Sequence, residues 1–256
     1  MCPEFKFEIT KYLRRIGIDK CIGNDFESVK RLHSSHFYNV PFENLEMVSN
    51  KNNKIDIKNV YERIVEKRKG GICFEFCLLI EEVFKNIGIN YSSQLARIHQ
   101  PFITGCTHQF FIISIDDDEF IFDVGFGAKG PRGLLKLENG YVLEDNFNSS
   151  KVIYDEEIGW CIFSLEKCSN DWELIYSFTK NKITREDIEI AYFYVKNSPD
   201  SLLNKNKVVS IPLSNGRKSF KNDIITIVVD EEVEVVKVDN DIINTINREF
   251  KLDVCL

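Results

Sequence analysis

The chain has 256 residues, 43% of them hydrophobic and 29% charged, a composition typical of a folded protein with a substantial core. Its 40 acidic residues outnumber its 33 basic ones, and no basic stripe that would bind nucleic acid is present. No apolar run approaches the roughly 18 residues needed to span a bilayer, and the first ten residues lack the charged-then-apolar order of a secretory signal. We therefore expect a cytoplasmic protein with neither a nucleic-acid partner nor a membrane partner.

Helical periodicity dominates the first third of the chain. Apolar residues share one face over residues 9–16, and further amphipathic patterns follow Asp25 and Asp56, whose side chains suit helix N-caps. A fourth helix is predicted from Cys73 to Ile87, with Gly88 as its C-terminal cap.

Short β-branched and aromatic runs then replace the helical pattern, which predicts an antiparallel sheet or a small barrel. The predicted strands are residues 91–98, 109–115, 120–124, 140–143, 161–165 and 172–178. The last third is mixed, with helices at 185–196 and from 241 and strands at 208–211, 224–229 and 233–238. We predict three units that pack as one body: residues 1–88, 89–184 and 185–256.

A cysteine in an unusual position draws attention to residues 69–75. Cys73 follows the pair Gly70 and Gly71 and opens a predicted helix, where free N–H groups and the positive end of the helix dipole favour a thiolate. A structural interpretation is also open, in which the two glycines only end one helix and let the next one begin.

A histidine and an aspartate supply the partners that a catalytic thiol needs. His108 and Asp123 lie on two predicted strands joined by the acidic turn 116–119. A turn with an even number of residues would place both side chains on one face, within diagonal reach, whereas an odd number would separate them. Each alone also fits a structural role, as a core histidine or a turn cap. With Cys73 they form the nucleophile, base and orienting group of a Cys-His-Asp triad.

Two other functions remain open at this point. A cysteine hydrolase or thioesterase uses the same triad, with water in place of an acceptor. A structural zinc site would instead use Cys73, Cys77, Cys106 and His108, although their spacing fits no common zinc motif, so we expect no metal.

Four ordered motifs make the chain resemble the arylamine N-acetyltransferase family. They are Val40–Leu45, Lys69–Glu75, Thr107–His108 and Asp123–Gly127. The resemblance implies an α+β fold with an N-terminal helical domain that carries the cysteine, a central antiparallel β-barrel and a C-terminal α/β lid. It also implies acetyl-CoA as the donor and an arylamine or hydrazine as the acceptor, in a ping-pong reaction through acetyl-Cys73.

Further residues are predicted to bind the substrates. Phe126 follows Asp123 closely and is predicted to stack on an aromatic acceptor, with a purely structural place in the core as the alternative. Gly125 and Gly127 would allow the close approach of coenzyme A, or would serve only the turn that contains them. Ser214 and Gly216 belong to a compact basic turn that would meet the nucleotide phosphates, with a solvated hairpin tip as the alternative.

One position departs from the family pattern. The arginine that precedes the two glycines in the family is Lys69 in this chain, which keeps the charge but loses the planar bidentate fork. We predict that Lys69 pairs with Glu43.

Overall fold

A computed structural model describes residues 5–49, 55–238 and 241–252. The helices are α1 (Ile9–Arg15), α2 (Phe26–Asn39), α3 (Leu45–Ser49), α4 (Ile57–Tyr61) with a following π-helical turn (Glu62–Glu66), α5 (Cys73–Ile87), α6 (Arg185–Asn197), α7 (Leu202–Lys205) and α8 (Ile242–Phe250). The strands are β1 (Phe42–Glu43), β2 (Asn90–Ile98), β3 (Cys106–Ile115), β4 (Asp118–Phe122), β5 (Leu135–Lys136), β6 (Val142–Leu143), β7 (Asn148–Asp155), β8 (Gly159–Glu166), β9 (Glu173–Phe178), β10 (Val208–Leu213), β11 (Gly216–Lys221), β12 (Ile224–Val229) and β13 (Glu232–Lys237). None of the described helices is both long and apolar enough to cross a membrane.

An eight-stranded antiparallel sheet forms the centre of the molecule. Its strand order is β5-β4-β3-β2-β9-β8-β7-β6, and the sheet curls almost into a barrel because β5 also lies against β7. Phe110, Ile112, Ile121, Val152 and Ile162 belong to the buried cluster that this sheet encloses. The predicted α+β class and its central antiparallel barrel are confirmed.

The connection between β3 and β4 decides which side chains share a face. Ile115 pairs with Asp118, so the turn contains only Asp116 and Asp117. Both have positive φ, 49° and 67°, as in the two-residue turns that match the twist of a hairpin. The turn is therefore even, and the register places His108 on the face that Asp123 extends.

A second, five-stranded sheet joins the first third of the chain to the last third. Its order is β1-β10-β11-β12-β13, so the short strand β1 from the first third pairs with β10 from the last third. Phe250 and Ile246 of α8 pack with Phe220 and Ile225 of this sheet. The basic turn was predicted over residues 214–218, but only Ser214 and Asn215 lie in the turn. Arg217 and Lys218 belong to β11, which begins at Gly216.

Helix α5 connects the helical part to the barrel. Phe84 packs edge-on against Phe111 and Phe122, with ring centroids 5.4 and 5.1 Å apart. The helix ends as predicted at Gly88, which has a left-handed φ of 74°. The domain boundaries at 88 and 184 stay a prediction, although α5 ends and α6 begins beside them.

Candidate active site

The N-terminus of α5 presents Cys73 to the barrel. Cys73 is the first residue of the helix and is 4% exposed. The Glu75 carboxylate accepts the Ile72 N–H at 2.9 Å, which fixes the first turn in the manner of half a capping box. The sulfur therefore lies where the unpaired N–H groups of a helix favour a negative charge.

His108 and Asp123 meet on the barrel as the even turn requires. The distance between His108 Nε2 and Asp123 Oδ2 is 2.8 Å, and both side chains are buried. Phe111 pairs with Phe122, which makes His108 and Asp123 diagonal neighbours just beyond the end of β4. The other ring nitrogen of His108 remains for Cys73, which lies close enough to the imidazole to help raise its pKa.

Electrostatics favour the charged form of this pair. Burial works against a charge on His108, but the Asp123 carboxylate, which accepts a hydrogen bond from the imidazolium, and the nearby Cys73 outweigh this effect and raise the pKa of His108 to about 10. Burial likewise opposes the Asp123 charge, yet His108 and the Gly125 N–H hold the pKa of Asp123 below its usual value. At neutral pH the site therefore contains an imidazolium and a carboxylate.

The backbone around Asp123 is held at two further points. Asp123 Oδ1 accepts the Gly125 N–H at 2.9 Å, so the aspartate caps its turn as well as binding His108. The main-chain oxygen of Asp123 accepts a hydrogen bond from His33 Nε2 at 2.9 Å. Sequence reasoning missed His33, because its neighbours in α2 are polar and only the fold shows that it is fully buried.

Gly125 lies directly against the cysteine. A Cβ atom at this position would stand 2.7 Å from both Cα and Cβ of Cys73, closer than any real contact. Only glycine lets the turn after Asp123 approach the start of α5 this closely.

Replacement of Gly125 should therefore displace the thiol. We expect Gly125→Ala to lower turnover by about 10²-fold, because reacting groups lose alignment when the backbone shifts, and to lower the free energy of unfolding by about 1–3 kcal/mol. Gly105→Ala is the matched control, since no atom lies within 4 Å of an added Cβ there. Steady-state kinetics of both variants measures the turnover, and urea unfolding measures the free energy of unfolding. Equal activity of the two alanine variants would contradict the close packing.

Aromatic rings surround the imidazole. The Phe126 ring meets His108 edge-on at 5.3 Å, and the half-buried side chain leaves part of this ring accessible. Tyr176 on β9 lies 5.2 Å from His108 and 5.4 Å from Phe126. Tyr176 was not predicted, because nothing in its sequence distinguishes it from the other apolar residues of its strand.

The predicted coenzyme A residues do not form one cluster. Gly125 contacts Cys73, whereas Gly127 has a left-handed φ of 87° and lies near Ser210 of β10. Ser214 is exposed at the β10–β11 turn, and the Gly216 carbonyl accepts a hydrogen bond from Arg132 at 2.6 Å.

The predicted pairing of Lys69 with Glu43 is wrong. The ammonium group of Lys69 binds the Glu46 carboxylate, with a distance of 2.9 Å between Nζ and Oε2. Glu43 is buried and faces Arg63 instead, with 4.0 Å between Oε1 and Nη1. Arg63 belongs to the π-helical turn Glu62–Glu66.

Arg63 binds the buried carboxylates next to the cysteine. It donates to Glu75 and also to the Gly70 carbonyl at 3.4 Å. Burial raises the pKa of Glu43, and Arg63 opposes this rise. The Arg63 guanidinium thus faces Glu43, the carboxylate that was predicted to pair with Lys69.

Loss of this guanidinium should destabilise the fold. We expect Arg63→Met to lower the free energy of unfolding by about 3–5 kcal/mol, because it leaves buried carboxylates unpaired. Arg185→Met is the control, since its ion pair with Glu189 is exposed and should change stability by less than about 1 kcal/mol. Urea denaturation of the two variants measures the difference, and similar losses would argue against a buried cluster.

The residues of the alternative zinc site do not assemble. Within 5–49, 55–238 and 241–252, no group of three or more His, Cys, Asp or Glu side chains is arranged to hold a metal. Cys77 points to the Gln109 carbonyl at 3.5 Å, and burial raises its pKa well above the usual value. Cys106 is exposed.

A cleft lies next to the site rather than over it. Its volume is about 630 Å³, and Phe74, Leu78, Ser93, Gln109 and Ile188 are among its lining residues. Phe74 and Gln109 directly follow Cys73 and His108 in the sequence, but neither of those two side chains lines the cleft.

A buried thiol beside an imidazole that is hydrogen-bonded to a carboxylate is the arrangement of enzymes with a cysteine nucleophile. Comparison with known proteins specifies the class. The family model described as N-acetyltransferase matches residues 25–255. An arylamine N-acetyltransferase of Escherichia coli (strain K12) is 23% identical over 213 residues, which cover 82% of this chain and 75% of that protein.

Solved structures agree. The arylamine N-acetyltransferase from Mycobacterium abscessus superimposes with a TM-score of 0.90 at 19% identity, over 97% of this chain and 91% of that one. The Mycobacterium marinum arylamine N-acetyltransferase in complex with CoA superimposes with a TM-score of 0.86 at 20% identity. The match covers 96% of this chain and 93% of that one. The chain therefore belongs to the arylamine N-acetyltransferase family, and it is an acetyltransferase.

Proposed function

We propose that the chain transfers the acetyl group of acetyl-CoA to arylamines or hydrazines through an acetyl-Cys73 intermediate. The observation that carries this proposal is the buried hydrogen bond between His108 and Asp123 beside Cys73 at the start of α5. The names of the relatives support an arylamine acceptor, and the CoA complex of the Mycobacterium marinum enzyme supports the donor.

The first half-reaction acetylates the enzyme. The Cys73 thiolate attacks the thioester carbonyl carbon, and N–H groups at the start of α5 stabilise the oxyanion. As the tetrahedral intermediate collapses, the bond between the acetyl carbon and the coenzyme A sulfur breaks. The departing thiolate takes the proton of the His108 imidazolium, which leaves His108 neutral and the acetyl group on Cys73.

The second half-reaction returns the enzyme to its starting state. The acceptor nitrogen attacks the acetyl carbonyl carbon and gives one proton to neutral His108. The bond between the acetyl carbon and Sγ then breaks, which restores the thiolate and imidazolium. Asp123 fixes the orientation of the ring and stabilises its positive charge in both halves.

Substrate contacts follow from the surroundings of the triad. Phe126, whose ring is partly accessible beside His108, is proposed to stack on the acceptor. Gly125 and Gly127 are proposed to let the pantetheine chain approach. Ser214 and Gly216 remain candidates for contacts with the phosphates, although the nearby cations Arg217 and Lys218 already pair with Glu166 and Glu249.

An acceptor test separates this function from a cysteine hydrolase. Release of free coenzyme A from acetyl-CoA is measured with and without aniline or phenylhydrazine. A transferase should show release that depends on the amine and an equal amount of acetylated amine. Release at the same rate in water alone would identify a hydrolase and contradict the proposal.

A cytoplasmic location and the lack of nucleic-acid or membrane partners stay predictions. Fractionation of cells that express the chain tests the location.

A further inference from the structure

A buried histidine supports Asp123 from outside the triad. His33 lies on α2, and its Nε2 is 2.9 Å from the main-chain oxygen of Asp123. Its ring stacks with Phe37 at 5.9 Å and meets Phe122 edge-on at 5.1 Å. Phe122 is the last residue of β4, so His33 binds the backbone directly after the last residue that pairs with β3.

His33 is neutral, and its bond to Asp123 defines its tautomer. Burial lowers the pKa of His33 to about 4, against the smaller opposing effects of the Asp123 carbonyl and carboxylate. A carbonyl oxygen only accepts hydrogen bonds, so Nε2 must carry the ring proton. The titratable groups near His33 are Asp123 and, on the same helix, His36, which is itself hydrogen-bonded to Tyr12 and lies near Arg15.

We infer that His33 is a positioning residue for the reaction: it holds the Asp123 backbone so that the carboxylate meets His108. Asp123 follows the last paired residue of β4, so the sheet does not fix its peptide plane. The Gly125 N–H and His108 hold the carboxylate, while His33 holds the carbonyl of the same residue. This inference concerns the triad of the proposed function and rests on it.

The role predicts an effect on His108 rather than on stability alone. Cys73 of α5, Asp123 after β4 and Tyr176 of β9 are the titratable groups that face the His108 ring. Burial lowers the pKa of His108, and the Asp123 carboxylate makes the largest opposing contribution. A displaced carboxylate should therefore let this pKa fall, by roughly one unit.

NMR titration of the histidine rings in the whole protein tests the inference. His33→Phe keeps a ring between Phe37 and Phe122 but removes the donor, whereas His33→Gln keeps an N–H donor. The His108 midpoint is expected near pH 10 in the parent protein. It should be roughly one unit lower in His33→Phe, and close to the parent value in His33→Gln.

A packing control separates positioning from loss of stability. Leu32→Val alters a fully buried neighbour on the same helix without touching a hydrogen bond. This variant should melt earlier and still titrate like the parent protein. An unchanged His108 midpoint in His33→Phe would overturn the inference.

If His33→Phe does not fold, the tautomer and the titration of His33 in the parent protein provide a second test. Nitrogen-15 chemical shifts should show the Nε2–H tautomer of His33 and no protonation between pH 5 and pH 10. An Nδ1–H tautomer, or titration of His33 in that range, would overturn the inference. The two proposals can fail separately. A lowered His108 midpoint in His33→Phe, in a protein that never carries an acetyl group on Cys73, would support the role of His33 and contradict the proposed function.

Discussion

Cys73→Ala is expected to abolish acetyl transfer, with turnover lower by at least about 10⁴-fold, because Cys73 is the group that carries the acetyl thioester in the proposed mechanism. The fold should survive, since the change removes a single sulfur atom at the start of α5. Steady-state release of coenzyme A in the presence of an arylamine measures the loss, and circular dichroism checks the fold.

Cys77→Ala is the matched control for this variant. Cys77 lies one helical turn further along α5 and is also buried, but its thiol points to the Gln109 carbonyl and its raised pKa keeps it protonated. This variant should retain turnover. If it lost as much activity as Cys73→Ala, the assignment of the nucleophile would be wrong.

Asp123→Asn should lower turnover by roughly 10³–10⁴-fold, the scale of loss when a triad aspartate becomes an amide. The amide still caps the turn through the Gly125 N–H but carries no charge to stabilise the imidazolium. The pKa of His108 should consequently fall from its raised value. The imidazolium then loses its proton at a lower pH than in the parent protein. The alkaline decline of the remaining activity should therefore begin at a lower pH in the variant.

Asp155→Asn is the control for the aspartate. Asp155 also caps a turn, with Oδ1 accepting the N–H groups of Glu157 and Ile158, but it is exposed at the end of β7. Its amide variant should keep full activity with an unchanged pH profile. Retained activity in Asp123→Asn would show that Asp123 serves only as a turn cap.

Local rules were sufficient for the parts of the site that depend on short stretches of chain. The glycine pair and the apolar period of α5 predicted the position of Cys73, and Gly88 predicted the end of that helix. The diagonal relation of His108 and Asp123 follows from turn length, because a two-residue turn keeps the period-two alternation in register.

Other features depend on contacts between distant segments. Strand β7 was absent from the prediction because its inward positions include the polar Asn148 and Ser150, which hide the alternation that identifies a strand. Arg63 was overlooked because Glu43 lies 20 residues away in the sequence and only the fold brings the two side chains within 4.0 Å. His33 required knowledge of burial, which the polar sequence around it does not reveal.

The account depends on Cys73 as the acyl carrier. Intact mass and peptide mapping of the protein, mixed with acetyl-CoA in the absence of any amine, test this most directly. We predict a gain of one acetyl group located on Cys73, which disappears when an arylamine is added and acetylated in equal amount. An unmodified protein that still acetylates the amine, or an acetyl group on Cys77 or Cys106, would contradict the mechanism.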